Sequence, residues 1–221
     1  MENLDYFDDN MQYLGTTTRQ AVHEQGLWHK TIHCWVLRRG TSTQSTKEDK
    51  IDVADHTVVF QQRSAQKEYN PLVLDISAAG HYAAGETDQD AIREIEEELG
   101  FKVDFQDLLF LGILQEANII PGQYEQTAIN REFCYTYFLE DNRPLHQYQI
   151  QEEEVANVIQ IPIQEGLKLF SGASQTVTGL DRNSQSTTYH LEDFLPRHLT
   201  YYLKIFIMAE RYFEGKMHLA I

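Results

Sequence analysis

The stretch GHYAAGETDQDAIREIEEELGF, residues 80 to 101, constrains this chain more than any other segment. Between Glu86 and Glu98 it carries seven carboxylates and a single base, Arg93. Like charges at helical spacing repel one another, so the segment suits either a solvated acidic face or a cage for a cation. Thr87 with Asp90 three residues on makes a capping-box-like start, and Gly100 a C-terminal stop. The spacing therefore predicts a helix over 88–99. Ile92, Ile95 and Leu99 then form one apolar stripe, while Glu94, Glu97 and Glu98 form a separate carboxylate face. Glu96 falls off that face. Three hard oxygen ligands on one turn suit Mg2+ or Mn2+. Charge runs are more often solvated surfaces than sites, so the acid pattern alone does not decide.

The rest of the chain supplies a core. At 221 residues, 42% hydrophobic and 11% aromatic, it suits one domain with extensions. Residues 31–38 (TIHCWVLR), 56–63 (HTVVFQQR), 72–76 (LVLDI), 107–117 and 130–140 read as strands. Polar residues 39–55 read as a variable loop, and Pro121-Gly122 mark another. From about 151 the chain reads as helical and acidic, and 171–190 as loop or short strand. Between Leu195 and Gly215, Leu199, Leu203, Phe206, Ile207 and Phe213 fall at amphipathic-helix spacing, for core packing or a homodimer contact. Strands and helices mix without a regular βαβ repeat, which favours an α+β fold with a mixed sheet.

A net charge of −16 argues against a general nucleic-acid binder. A small anionic substrate stays within reach, because a bound divalent cation reverses the local sign. Cys34 and Cys134 make neither a spaced metal motif nor a secreted disulfide framework. The acidic start MENLDYFDDN has no apolar run, and no stretch approaches the roughly 20 apolar residues of a membrane span. The expectation is a soluble cytoplasmic protein.

Taken together, Gly80, Glu86, Arg93-Glu94, Glu97-Glu98 and Gly100 resemble the Nudix hydrolase box. The half REIEEELGF fits that pattern at every specified position, while the spacer TDQDAI has six residues where the family has seven. The resemblance implies an α/β/α sandwich over residues 28–165, with an N-terminal extension (1–27) and a C-terminal helical extension (166–221) packed on the same domain. It also implies Mg2+ held by Glu94, Glu97 and Glu98. Arg93 would pair with a neighbouring carboxylate, and Glu86 would brace the loop. Glu97 is our choice for the general base. The expected reaction is attack of water on a diphosphate linkage in a small molecule.

A second layer of the pattern is similar to the isopentenyl-diphosphate isomerase branch of the superfamily, which binds an additional metal through histidines. His81 matches a ligand of that branch, His29 matches another, able to touch metal or substrate, and His23 comes near a third. Glu132 stands where the branch has a catalytic, metal-binding glutamate, with Asn130 replacing its partner. Arg63 and Lys67 match the diphosphate-binding basic pair. Ala79 replaces the catalytic cysteine, which weighs against alkene isomerisation and for hydrolysis. An isomerase and a catalytically silent sensor of a nucleotide-like ligand are the two alternatives.

Overall fold

A computed structural model describes residues 2–40, 56–67, 69–120, 128–216 and 218–221. Residues 41–55 of the loop expected at 39–55, and the loop around Pro121-Gly122, lie outside them. In chain order the elements are β1 (Asn3–Phe7), β2 (Tyr13–Thr18), α1 (Arg19–Gln25), β3 (Trp28–Arg38), β4 (Thr57–Arg63), β5 (Leu74–Asp75) and β6 (Ala78–His81). Then follow α2 (Asp88–Ala91), α3 (Arg93–Leu99), β7 (Leu108–Ile120), β8 (Ala128–Glu140) and β9 (Val155–Pro162). The chain closes with α4 (Ile163–Phe170), β10 (Thr176–Asp181), β11 (Ser186–His190) and α5 (Leu199–Phe213).

The strands of the described residues form one mixed sheet around β3. Along one edge β3 pairs in parallel with β8, from Trp28↔Arg131 to Leu37↔Glu140. Its other edge is shared in turn by β1, β6 and β4, all antiparallel. Because strand side chains alternate between faces, Cys34 and Val36 pack with Ile95 and Leu99 of α3. Trp35 and Leu37 pack on the opposite side with Phe170 of α4 and Phe206 of α5. The result is the α/β/α sandwich with a mixed sheet that the box implies. Toward the start of β3, the same face that carries Trp35 carries His29, Thr31 and His33, and there it opens into a cleft.

Two local expectations are corrected and one open alternative is decided. Residues 151–154, expected to be helical, form a turn, and 155–162 form a strand, because Val155, Val158, Ile159 and Ile161 favour a buried sheet position beside β4; the helix begins only at Ile163. Residues 176–190, read as loop or short strand, form two short strands paired as a hairpin. The buried face of α5 is Tyr201, Tyr202, Ile205, Phe206 and Ala209, with Leu203 only partly buried. Aromatic tyrosines took the core-facing side because their hydroxyls find partners there: Trp35 Nε1 donates to the Tyr201 hydroxyl at 2.9 Å, and Tyr202 donates to the Leu195 carbonyl at 2.9 Å. Phe206 is fully buried against Phe60 and Phe170. Phe206→Ala should therefore cost about 3–5 kcal/mol of unfolding free energy, read from a urea melt.

Candidate active site

The acidic helix is broken where the spacer is one residue short. α2 ends and α3 begins around Ile92, and the Ile95 amide donates to the Ile92 carbonyl at 3.0 Å, one residue tighter than an α-helical bond. Despite the shorter spacer Glu86 reaches its partner. Arg93 Nε donates to Glu86 Oε1 at 2.7 Å and Nη2 to Glu86 Oε2 at 3.3 Å. Glu86 Oε2 also accepts from the Ala83 amide at 2.7 Å, tying the loop to the helix. The remaining reach of Arg93 goes to Glu94 (2.7 Å), Glu97 (3.1 Å) and the His81 carbonyl (3.2 Å).

The three glutamates of the helix face differ in environment. Glu97 sits at the rim, with its side chain 53% exposed. Glu98 is buried, and its Oε2 accepts from the Ala79 amide (2.9 Å) and Gln61 Nε2 (3.0 Å). Burial pushes the Glu98 carboxyl up to about 8. Burial also raises Glu94, to about 7, against the opposing pull of Arg93. Gly80 is required by close approach, because a Cβ there would occupy the place of the Glu94 carboxylate. Gly100 lies outside the cleft as the left-handed cap of α3, at φ 76°.

Gly80, His81, Arg93, Glu94, Glu97, Glu98, Glu132, Arg63 and Lys67 all line one cleft of ≈ 830 Å³. The basic pair is already engaged. Lys67 is ion-paired with Glu154, and Arg63 donates to the Asn70 and Tyr69 carbonyls and faces Asp75 at 3.5 Å.

A second cluster adjoins the first. Register places His29 beside Glu132 across the parallel β3–β8 pair, and Thr31 opposite His81. α1 adds His23, whose ring packs against both His29 and His81. Ligand atoms of His23, His29 and His81 all lie within 4.8 Å of one another. His23 Nδ1 lies 2.8 Å from the Arg19 carbonyl and His29 Nδ1 3.0 Å from the Leu27 carbonyl. A carbonyl only accepts, so each Nδ1 carries the proton and each Nε2 a lone pair. The Nε2 atoms of His29 and His81 are buried without a hydrogen-bond partner, 3.9 and 4.0 Å from Glu132 Oε1. Burial lowers His23, drops His29 to about 3 and holds His81 well below its usual range. Neutral imidazoles with converging lone pairs suit a borderline divalent metal.

A further group was not anticipated from sequence. Glu116 faces Glu132 directly across β7 and β8, and Arg197, just before α5, is ion-paired to Glu116 (2.6 Å) and Asp75 (3.2 Å). His33, Glu116, Glu132 and Cys134 also converge within 4.8 Å. There, however, Arg197 already supplies the cation, and burial keeps the Cys134 thiol protonated. Asp75 was the available signal, as a charge inside the apolar run LVLDI demands a partner.

Carboxylates sheltered on a helix, with basic side chains in the same cleft, suit metal-assisted chemistry on an anionic substrate. Comparison with known proteins gives this class its family. A family model described as NUDIX domain matches residues 49–177. An uncharacterized Nudix hydrolase of Clostridium acetobutylicum is 33% identical over 217 residues, covering 94% of this chain and 96% of the relative. Nudix hydrolase 3 of Arabidopsis thaliana is 31% identical over 172 residues, covering 76% of this chain but 20% of that longer protein. A crystal structure from Deinococcus radiodurans shares the fold, with a TM-score of 0.51 at 18% identity over 78% of this chain and 91% of that one. The chain belongs to the Nudix hydrolase family, and its enzyme class is that of a diphosphohydrolase. No helix among the described residues is long and apolar enough to cross a membrane.

Proposed function

We propose that this protein is a Mg2+-dependent hydrolase that cleaves the diphosphate linkage of a nucleoside diphosphate-linked or related small molecule by attack of water. The observation that carries this reading is the pair Glu94 and Glu98. Glu98 is buried and Glu94 partly buried beside Arg93, both carboxyls are raised toward neutrality, and the hydrogen-bond donors that reach Glu98 are uncharged. A buried carboxylate held by uncharged donors is costly without a further cation and suited to one with it. Glu94, Glu97 and Glu98 would hold Mg2+, or Mn2+, which when bound polarises a phosphoryl oxygen and acidifies water. Arg93 restrains Glu86, Glu94 and Glu97 together, so the face keeps its shape before substrate arrives. Glu97, at the solvent-reached rim, takes the proton from the attacking water. Arg63 and Lys67 orient the diphosphate, exchanging their present partners for its oxygens.

His23, His29 and His81 with Glu132 would hold a second metal, His81 reaching it from the cleft wall and His29 from behind. That cluster is also the one observation favouring an isomerase-type activity on an isoprenoid diphosphate, which Ala79 in place of a cysteine opposes. A panel of nucleoside diphosphates, sugar nucleotides, dinucleotides and isopentenyl diphosphate, assayed with and without Mg2+, separates the readings. Phosphate or nucleotide release that requires Mg2+ and collapses in Glu97→Gln is expected. Release unchanged in that variant would refute the role of Glu97, and alkene migration without phosphate release would install the isomerase reading.

Metal binding should also depend on pH in a defined direction. Glu94 and Glu98 must lose protons to bind, and they do so through about 7 and about 8. The upward shift in Tm on adding Mg2+ should therefore be small near roughly pH 6 and large near roughly pH 9. A shift equal at both would place the metal elsewhere.

A further inference from the structure

The cations that line the cleft differ in depth. The side chains of Arg19, Lys67 and Arg63 are 47%, 27% and 21% exposed, whereas that of Arg197 is 9% exposed. Arg197 comes with Leu195 and Pro196 on the segment that leads into α5, and all three line the cleft. The segment is pinned at its start. The Leu195 amide donates to the Leu74 carbonyl at 2.8 Å, and the Leu195 carbonyl accepts from the Tyr202 hydroxyl.

The guanidinium is held in a fixed attitude. Nη1 donates to Glu116 Oε2 at 2.6 Å, Nη2 to Asp75 Oδ1 at 3.2 Å, and the group lies over the Tyr201 ring. Burial opposes its charge, and Asp75 and Glu116 outweigh burial, so it stays protonated. Asp75 also faces Arg63, and the row Arg63–Asp75–Arg197 alternates in sign along the cleft wall, with Glu116 behind it. A guanidinium has five N–H donors. Asp75 and Glu116 take one donor each, the Tyr202 hydroxyl is a third hydrogen-bond partner, and Nε is buried without one. A guanidinium fixed in place at the cleft wall, with donor capacity left over from these partners, is a preorganised receptor for anionic oxygen.

We propose that Arg197 is a substrate-contacting residue, donating to a phosphoryl oxygen at the deep end of the cleft, with Asp75 and Glu116 serving to aim it. This rests on the diphosphate-hydrolase reading above. Arg197 lies beyond residue 177, where the match to the family model ends. It thus belongs to the C-terminal extension, outside the matched domain, and the extension would have a part in choosing the substrate.

The test uses the full chain, Mg2+ and methylenediphosphonate, whose P–C–P bridge resists hydrolysis, with affinity measured by calorimetry. Arg197→Lys keeps the charge but loses the fork, and should weaken binding by about tenfold or more. Arg197→Gln alone strands two carboxylates and is prone to unfolding. The double variant Arg197→Gln with Glu116→Gln removes one of them, and it should fold by circular dichroism yet bind the probe about tenfold or more weakly. Wild-type affinity in both folded variants would overturn the proposal, leaving Arg197 as a latch for α5 and the hydrolase reading intact. No binding of the probe by the wild type, together with no Mg2+-dependent turnover on the substrate panel, would overturn both.

Discussion

Glu98→Gln should lower Mg2+-dependent turnover by at least about a hundredfold and yet stabilise the metal-free protein at alkaline pH. The carboxyl is buried at the cleft wall, and desolvation raises it from an ordinary 4.5 to about 8. A carboxyl raised on folding favours the native state below its unfolded value, and this contribution is lost as pH rises through the folded value. At pH 6 the native protein therefore keeps Glu98 protonated, and glutamine changes little. Well above pH 8 the native state must hold a buried charge, which glutamine does not carry. The amide oxygen can still accept from the Ala79 amide and Gln61, as Oε2 does now. Urea melts in chelator at low and high pH, beside a turnover assay, read both halves. Loss of activity with destabilisation at high pH would mean that Glu98 is chiefly a structural acceptor. The opposed signs are what a functional site predicts, since a carboxylate kept at a cost to stability is kept for something it binds.

The contrast between Glu98 and Arg197 shows what could be read from the sequence and what could not. Glu98 was legible because its chemistry is local. Helical spacing alone puts it beside Glu94, and the box residues around it fix the register. Gly80, Glu86, Arg93 and Gly100 were legible for the same reason, and the strands β3, β4, β7 and β8 announced themselves by β-branched and aromatic runs. Arg197 was not legible, because its partners Asp75 and Glu116 are 122 and 81 residues away. Nothing in the local pattern of the segment before α5 distinguishes a buried guanidinium from a solvated one. The histidine cluster falls between these cases. Strand alternation puts His29 and His33 on one face, but the parallel register that sets His29 beside Glu132 depends on how β3 and β8 pair, and one residue of slip would turn Glu132 away. The strand β9 was masked by the acidic run before it, whose charge resembles a helix start, while the apolar alternation that decides the matter begins only at Val155.

Two glycines of the box should answer the same substitution in opposite ways. Gly80→Ala introduces a methyl where the Glu94 carboxylate now lies. That carboxylate is the free end of a flexible side chain, and the Gly80 backbone is not in the left-handed region. The clash is relieved by rotating Glu94 out of the cleft, so stability should change by no more than about 1 kcal/mol. Turnover should fall by about a hundredfold or more, because a displacement of about 1 Å in a reacting constellation is enough for that loss. Gly100→Ala meets the backbone carbonyl of Gln149 and demands a left-handed φ of 76° from a residue with a side chain. Neither obstacle can rotate away. The expected result is a loss of about 2–5 kcal/mol in unfolding free energy, with the folded fraction retaining most of its kcat, since Gly100 caps α3 outside the cleft. Equal stability losses in the two variants, or an active Gly80→Ala, would separate Glu94 from the chemistry. The opposite outcome ties the absence of a side chain at Gly80 to the position of one carboxylate, and the handedness of Gly100 to the helix that carries it.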